Sequence, residues 1–583
     1  MKRPPKPAEL VLLSLALVSL PVSLDAQGTS SAAAAEETDE DVIVLSAFEV
    51  RENDNVNYVA NSTLARTRIN TKLRDVGASI SVFTPEFMAD TGATGAGQLL
   101  TLSVGSEVGG SGGNFAGGGL SGGRADQSDS RENPQGNQRI RGIGPAALSR
   151  DYFLTDIAFD TYNVSAVTIN RGPNSLLFGI GNPAGVIEAS TIKALLHKHS
   201  YSTSARYGSN DSYRGTFDIN RVLVKDRVAV RLAGMYDENV YDQKPAFDRD
   251  KRIFGTVRAV LANNERSNVL GQLVVNASAE TGVRNSTPVN VIPPTDAFSI
   301  WFSPLDPAID NLPGVTMEPK VTRGNAAYIW RPKVTIDNRT ANANLPELSN
   351  SWVSAPYFIQ IPLIYDTPGQ LIPGYQNTNN PALTPLAGVM GRIRYVPATN
   401  GRGPIDAAST KTAYNNLAGF STPTLQNREI FDYRNNLISG GSNTIEQGFD
   451  TFNVALTQDL LEGNAGVELA YDTQVLHSRR QLPFSFGTLG AQNGVSDINI
   501  DVAQYISNDQ PNPNLERPFI VNIGSQERYT RTDRDSVHAT AFYRLDLEKE
   551  DRRLFGLPLG THTFTRLYST QKIDTRSENY DLY

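Results

Sequence analysis

The chain has 583 residues, 61 acidic against 53 basic side chains for a formal charge of −8, and no cysteine. The missing thiols exclude disulfides, cysteine metal sites and cysteine nucleophiles together, and a mildly acidic balance without a dense basic cluster argues against nucleic acid as a partner. The length admits several ordinary domains or one very large β architecture.

At the N-terminus Lys2, Arg3 and Lys6 precede an apolar run at residues 10–24 (LVLLSLALVSLPVSL), the form of a signal peptide at residues 1–26 with Ala26 as its cleavage residue. The run is broken by Pro21 and falls short of the roughly 20 apolar residues that a transmembrane helix needs. No later segment approaches such a helix, so a membrane-embedded form of the chain is expected to be a β-barrel. Residues 27–65 read as a flexible tether, Ser/Ala/Glu-rich up to residue 41 and without apolar periodicity. Inside it, residues 41–50 (DVIVLSAFEV) are apolar and β-prone. A segment of this kind is suited to adding itself as a strand to a partner's sheet edge; pairing with a sheet of its own protein is the alternative.

Residues 66–195 read as a small mixed α/β unit. ASISVF at 78–83 is a strand, and Thr84, Pro85 and Glu86 supply an N-cap, a first-turn proline and an acidic first turn for a short helix. Residues 105–123 are glycine-rich and expected to be a flexible loop. Order returns at Arg139-Ile140-Arg141-Gly142-Ile143-Gly144, and Ala166-Val167-Thr168-Ile169 is a further strand. The stretch RGPNSLLFGIGNPAGVIEAST at 171–191 carries glycines at 179, 181 and 185, one residue too long for a dinucleotide loop. Pro183 removes a donor N–H, the residues that follow alternate as a strand, and no Gly-Lys-Ser/Thr is present. The glycines are therefore not expected to cradle a phosphate.

Beyond Ser200 the pattern has period two. Tyr213, Gly215, Phe217 and Ile219 share one face, with Arg214, Thr216 and Asp218 on the other. In the next segment Val228, Val230, Leu232, Gly234 and Tyr236 oppose Ala229, Arg231, Ala233, Met235 and Asp237. Similar runs recur at 253–261, 269–278, 449–458, 466–475, 537–547 and 561–569. A soluble sandwich or propeller also alternates. Tyr236, Tyr471 and Tyr543 on the apolar faces, and a very long connection at about 281–447, favour an outer-membrane barrel with apolar residues toward lipid. That connection holds Trp301, Trp330 and Trp352, which suit either ligand stacking or packing of the loop on itself. His197 and His199 are read as polar strand residues rather than zinc ligands. Asp211, Asp218 and Asp237 are read as wet strand faces and loop rims. No G-x-S-x-G, no H-E-x-x-H and no placeable carboxylate pair is found, so neither an enzyme nor a cofactor is expected.

Residues 171–187 resemble the C-terminal plug motif of TonB-dependent outer-membrane receptors, carried by Arg171, Gly172, Pro173, Ser175, Phe178, Gly179 and Gly185. Arg141 and Gly142 resemble the plug's I-R-G element, and residues 73–88 (LRDVGASISVFTPEFM) its first strand and helix. Val42, Ile43, Val44, Leu45 and Ser46 are similar to the TonB box, which favours the strand-donor reading. Glu188 departs from the pattern, standing where many relatives have Asn.

The resemblance implies a mixed fold: an N-terminal α/β plug at 66–195, then transmembrane antiparallel β-barrel strands at 196–583. The family's barrels have about 22 strands, whereas nine are legible here, and residues 574–583 are charged and alternate poorly. The chain is accordingly expected to be an N-terminal portion of a longer receptor. The implied function is energy-coupled uptake of a scarce solute (siderophore, cofactor or oligosaccharide) across the outer membrane. Its partners would be a TonB-type transducer, outer-membrane lipid and the small-molecule or oligosaccharide ligand. A non-transporting exported surface protein that binds a ligand is the alternative.

Overall fold

The computed structural model of the protein describes residues 55–60, 62–63, 71–109, 113–114, 138–172, 182–264, 267, 269–289, 425–483, 526–547 and 560–581, with short segments elsewhere. The signal peptide, Val42 to Ser46 of the box-like segment, Pro173, Ser175, Phe178, Gly179 and the three tryptophans lie outside the described residues, as does most of the glycine-rich loop.

The plug begins with β1 (Ser79–Phe83), whose chain turns into α1 (Pro85–Thr91) at Thr84. The Thr84 hydroxyl accepts from the Phe87 N–H at 3.3 Å, Pro85 occupies the first turn, and Gly92 ends the helix in the left-handed conformation. Then follow α2 (Ala96–Thr101), β2 (Ser106–Val108), β3 (Gln138–Ile140), β4 (Ala147–Arg150), β5 (Phe153–Leu154), β6 (Val164–Arg171) and β7 (Gly185–Thr191). Strands β2 and β3 form a separate antiparallel pair. The others make one sheet in the order β1-β6-β7-β4-β5, in which only β7 and β4 run parallel. The helices close over its apolar face, burying Leu99 and Leu100 with Phe83, Ile140, Val167 and Ile169. Burial of this kind contributes about 1.5–3 kcal/mol per large aliphatic side chain.

A second sheet holds nine strands: β8 (Ser200–Tyr207), β9 (Tyr213–Val224), β10 (Val228–Val240), β11 (Phe247–Asn263), β12 (Leu270–Thr287), β13 (Thr444–Leu460), β14 (Ala465–Leu482), β15 (Gln526–Asp546) and β16 (Thr561–Asp581). They pair in chain order, all antiparallel. The connections at 225–227, 264–269 and 461–464 are short and lie at one end of this wall, whereas those at 288–443 and 483–525 lie at the other.

The period-two reading assigns the two faces correctly. Leu232, Ile253, Val257, Leu456, Leu469 and Tyr543 are exposed on the outer face. Arg214, Asp237, Asp248, Glu280, Thr457 and Asp472 are buried on the inner one. An apolar outside and a polar inside is the inverse of a soluble sandwich core and suits strands in lipid.

Three boundaries differ from the sequence reading. The long connection spans 288–443 rather than 281–447, because β12 and β13 continue past the apolar stretch as paired polar strand up to Ser286↔Ile445. Ser200–Tyr207 is a strand without apolar alternation, fixed by its backbone register with β9. Residues 574–581, expected to be poor strand, belong to β16, where Arg576 pairs with Glu578 and Asp574 with Lys572 at 2.8 Å. In each case main-chain pairing outlasts the hydrophobic signal.

Gly185, at the start of β7, shows why the plug motif needs a glycine. Its φ is +126°, and an added Cβ would sit 2.1 Å from the Asn170 carbonyl oxygen across the β6–β7 ladder. Gly185→Ala is expected to cost on the order of 1–3 kcal/mol from strain alone, measured as a lower urea midpoint of plug unfolding.

Candidate functional site

The plug meets the wall through the segment that follows β4. Asp151 and Tyr152 form a two-residue turn with φ of 47° and 66°, unusual for residues other than glycine. Two carboxylates of the plug hold it there. Glu188 accepts from the Tyr152 N–H at 3.0 Å and from the Ser149 hydroxyl, while Asp151 accepts from the Thr191 N–H at 2.9 Å and its hydroxyl at 2.7 Å. The longer Glu188 carboxylate, the one departure noted in the motif, therefore has a structural use.

So fixed, the turn aims its neighbours at the wall. Phe153 stacks flat on His538 of β15 with ring centroids 4.1 Å apart. The Leu154 carbonyl accepts from Gln474 of β14 at 3.4 Å, and Asp156 pairs with Arg534 of β15 at 2.6 Å. On the opposite side Asp160 takes a two-pronged bond from Arg214 of β9 at 3.0 and 2.5 Å. Arg252 of β11 binds Asp250 on its own strand and donates to the Ala158 carbonyl at 2.7 Å.

Between these lies Glu280 of β12, only 4% exposed. It accepts from the Tyr162 hydroxyl at 2.7 Å and the Asn163 amide at 2.9 Å, and pairs with Arg150. Burial, followed by the charge of Glu280, pushes the Tyr162 phenol far above its ordinary range, so it stays a donor. The Arg150 guanidinium also lies over the Phe254 ring at 5.7 Å.

The described motif residues make contacts within the plug. Arg141 and Gly142, at φ 54° and 69°, form a turn in which the Arg141 N–H reaches the Gly105 carbonyl at 2.7 Å. Arg171 donates to Ser81 at 2.9 Å and to Ser103, tying the end of β6 to β1 and to the exit of α2. Burial and then the neighbouring Arg141 lower its pKa. Gly172 follows with φ +100°. Asp218 and Asp237 lie on the inner face, beside Arg231 at 2.7 Å and Arg214 at 3.4 Å, and Asp211 accepts from Tyr207 at a rim turn. His197 and His199 sit in an irregular segment rather than on a strand, and His199 Nδ1 accepts from the Val222 N–H at 3.2 Å.

Above the ion pairs, toward the long connections, a cavity of about 420 Å³ opens between the plug (Thr94 to Gln98 and Asp156 to Asp160) and β10 to β14. It is the place where a solute would meet plug and wall together. Sequence reasoning missed Asp160, Arg214, Arg252 and Glu280. The wet face of Arg214 was legible; the placement of the other three, and the partners of all four, were not.

A scan against protein-family models gives no match. Among solved structures, the pyoverdine outer membrane receptor FpvA from Pseudomonas aeruginosa PAO1 bound to pyoverdine aligns with 93% of this chain and 53% of its own at TM-score 0.50 and 12% identity. The ferripyoverdine receptor of the Pseudomonas aeruginosa outer membrane bound to ferripyoverdine aligns at TM-score 0.48 and 11% identity, over 92% and 47%. The ferric-catecholate import receptor Fiu from E. coli K12, open form, gives 0.38 and 12%, over 89% and 70%. These neighbours are TonB-dependent outer-membrane receptors, and the plug with its antiparallel wall is their fold. The chain spans about half the length of the two pseudomonad receptors.

Removing the Glu280 carboxylate leaves Arg150 buried without its counter-charge, a loss of about 3–5 kcal/mol. Glu280→Ala is expected to lower the free energy of unfolding in detergent by that amount, read from the shift of the denaturant midpoint, and to expose the plug to protease, with Glu280→Gln intermediate.

Proposed function

We propose that the chain is the plug-bearing part of an outer-membrane receptor that takes up a scarce solute with energy supplied by a TonB-type transducer. The observation that carries this reading is the plug sheet held inside a lipid-compatible wall by buried ion pairs, beneath a cavity that faces the long connections. In a passive pore the lumen is open; here the plug packs against the inner face of the wall, so passage along that face would require work on the plug. The TonB-box-like residues Val42 to Ser46 stand upstream of the plug, where strand addition by a transducer would apply that work. The long connections, by their length and composition, would contribute to solute capture. The class of solute is a siderophore, a cofactor or an oligosaccharide, and a ferric siderophore is a natural first probe because a receptor of this fold is described bound to pyoverdine.

Deletion of residues 41–50 in the gene, expressed in its own envelope, is expected to abolish accumulation of labelled solute while whole-cell binding persists. Unchanged accumulation would show that this segment does not couple energy to transport, and would favour a surface binding protein.

A further inference from the structure

The cavity wall says what kind of solute it accepts. Five carboxylates line it, Asp156, Asp160, Asp237, Asp248 and Asp250, against three guanidiniums, Arg206, Arg252 and Arg284. Two of the three guanidiniums are held by wall carboxylates: Arg252 by Asp250 at 2.8 Å and Arg284 by Asp248 at 2.7 Å. From behind the wall Arg214 and Arg534 pair with Asp160 and Asp156. Only Arg206 lacks a carboxylate, and it donates to the Gly92 carbonyl at 3.2 Å. A net-anionic chelate entering here would meet carboxylates and spent cations, a poor electrostatic match.

The groups left over are neutral. Gln138 is 3% exposed; its amide nitrogen donates to the Ala146 carbonyl at 3.2 Å, which leaves Oε1 buried at the cavity with no donor among the described residues. The Ser286 hydroxyl, equally buried on the opposite wall, has no partner among them either. Buried polar atoms without partners are costly and mark where a ligand or water completes the bonding. Carboxylates already bonded to arginine keep lone pairs that accept from hydroxyls. Phe159, Tyr241 and Phe449 set ring surface among these acceptors. Phe449 is packed down on Gly282, where an added Cβ would come within 2.4 Å of the ring.

From this wall we infer that the cavity binds an uncharged, hydroxyl-rich solute, a neutral saccharide, whose hydroxyls donate to Gln138 Oε1 and the wall carboxylates and bond with Ser286. The inference rests on the uptake reading above and narrows its solute.

The test uses the protein in detergent micelles, applied to an array of neutral oligosaccharides (α-glucan, β-glucan, xylan and mannan series) with ferric citrate as the anionic probe. Calorimetry then follows on whatever binds. The expected result is saturable binding of one neutral series, weakened about tenfold in Gln138→Leu, the scale of one buried hydrogen bond. Ser286→Ala, which removes one oxygen with little effect on shape, should weaken it in the same direction. Binding of ferric citrate alone, or of no probe, overturns the saccharide assignment. Saccharide binding untouched by both variants overturns the cavity as its site. Energy-dependent uptake is read separately, through the deletion of residues 41–50, so an uptake system for a chelate would refute this inference and leave the transport reading in place.

Discussion

A carboxylate that cannot be left unpaired organises this molecule. Glu280 is carried into the interior by β12 because its strand neighbours on the other face are apolar, and once there it must find cations and donors or lose several kcal/mol. Arg150, Tyr162 and Asn163 supply them from the plug. The plug's position follows, since the same segment that reaches Glu280 also presents Phe153, Asp156, Ala158 and Asp160 to three other strands.

The geometry of that segment depends in turn on the strained turn at Asp151 and Tyr152, which the plug's own carboxylates and the Asp151 N–H bond to the Ala189 carbonyl hold in place. The turn lies at the end of β4, whose parallel pairing with β7 brings Glu188 beside Ser149. Local strain, sheet topology and the ion pairs at the wall are thus one construction. The plug meets the wall largely through polar bonds, beside one small apolar cluster of Tyr162, Ile192, Ala233 and Phe254.

The wall divides its chemistry by height as well as by face. Its outer surface is apolar over the middle of the strands and charged toward the long connections, where Arg249 meets Glu238 at 2.6 Å and Arg531 meets Asp533 at 2.9 Å. Such exposed pairs contribute little stability. They mark where paired strand continues past the apolar band, so strand length exceeds the hydrophobic signal at 279–287, 444–448 and 574–581.

What the sequence determined by itself was everything with a short period. Alternation at 213–219 and 228–237 named the apolar face and the wet face residue by residue, and the Thr84-Pro85 cap set the start of α1. These are readable because each depends on neighbours a few positions away. The pairing of the wet faces was decided by tertiary structure alone. Tyr162 and Glu280 are 118 positions apart, Asp156 and Arg534 are 378 apart, and nothing in the local pattern selects one inward carboxylate over another. Charge type fixed that Asp160, Glu280 and Arg214 would need partners. Only the packing of plug against wall, with its register and the connections in between, decided which partners they received and which acceptors, Gln138 and Ser286, were left facing the cavity.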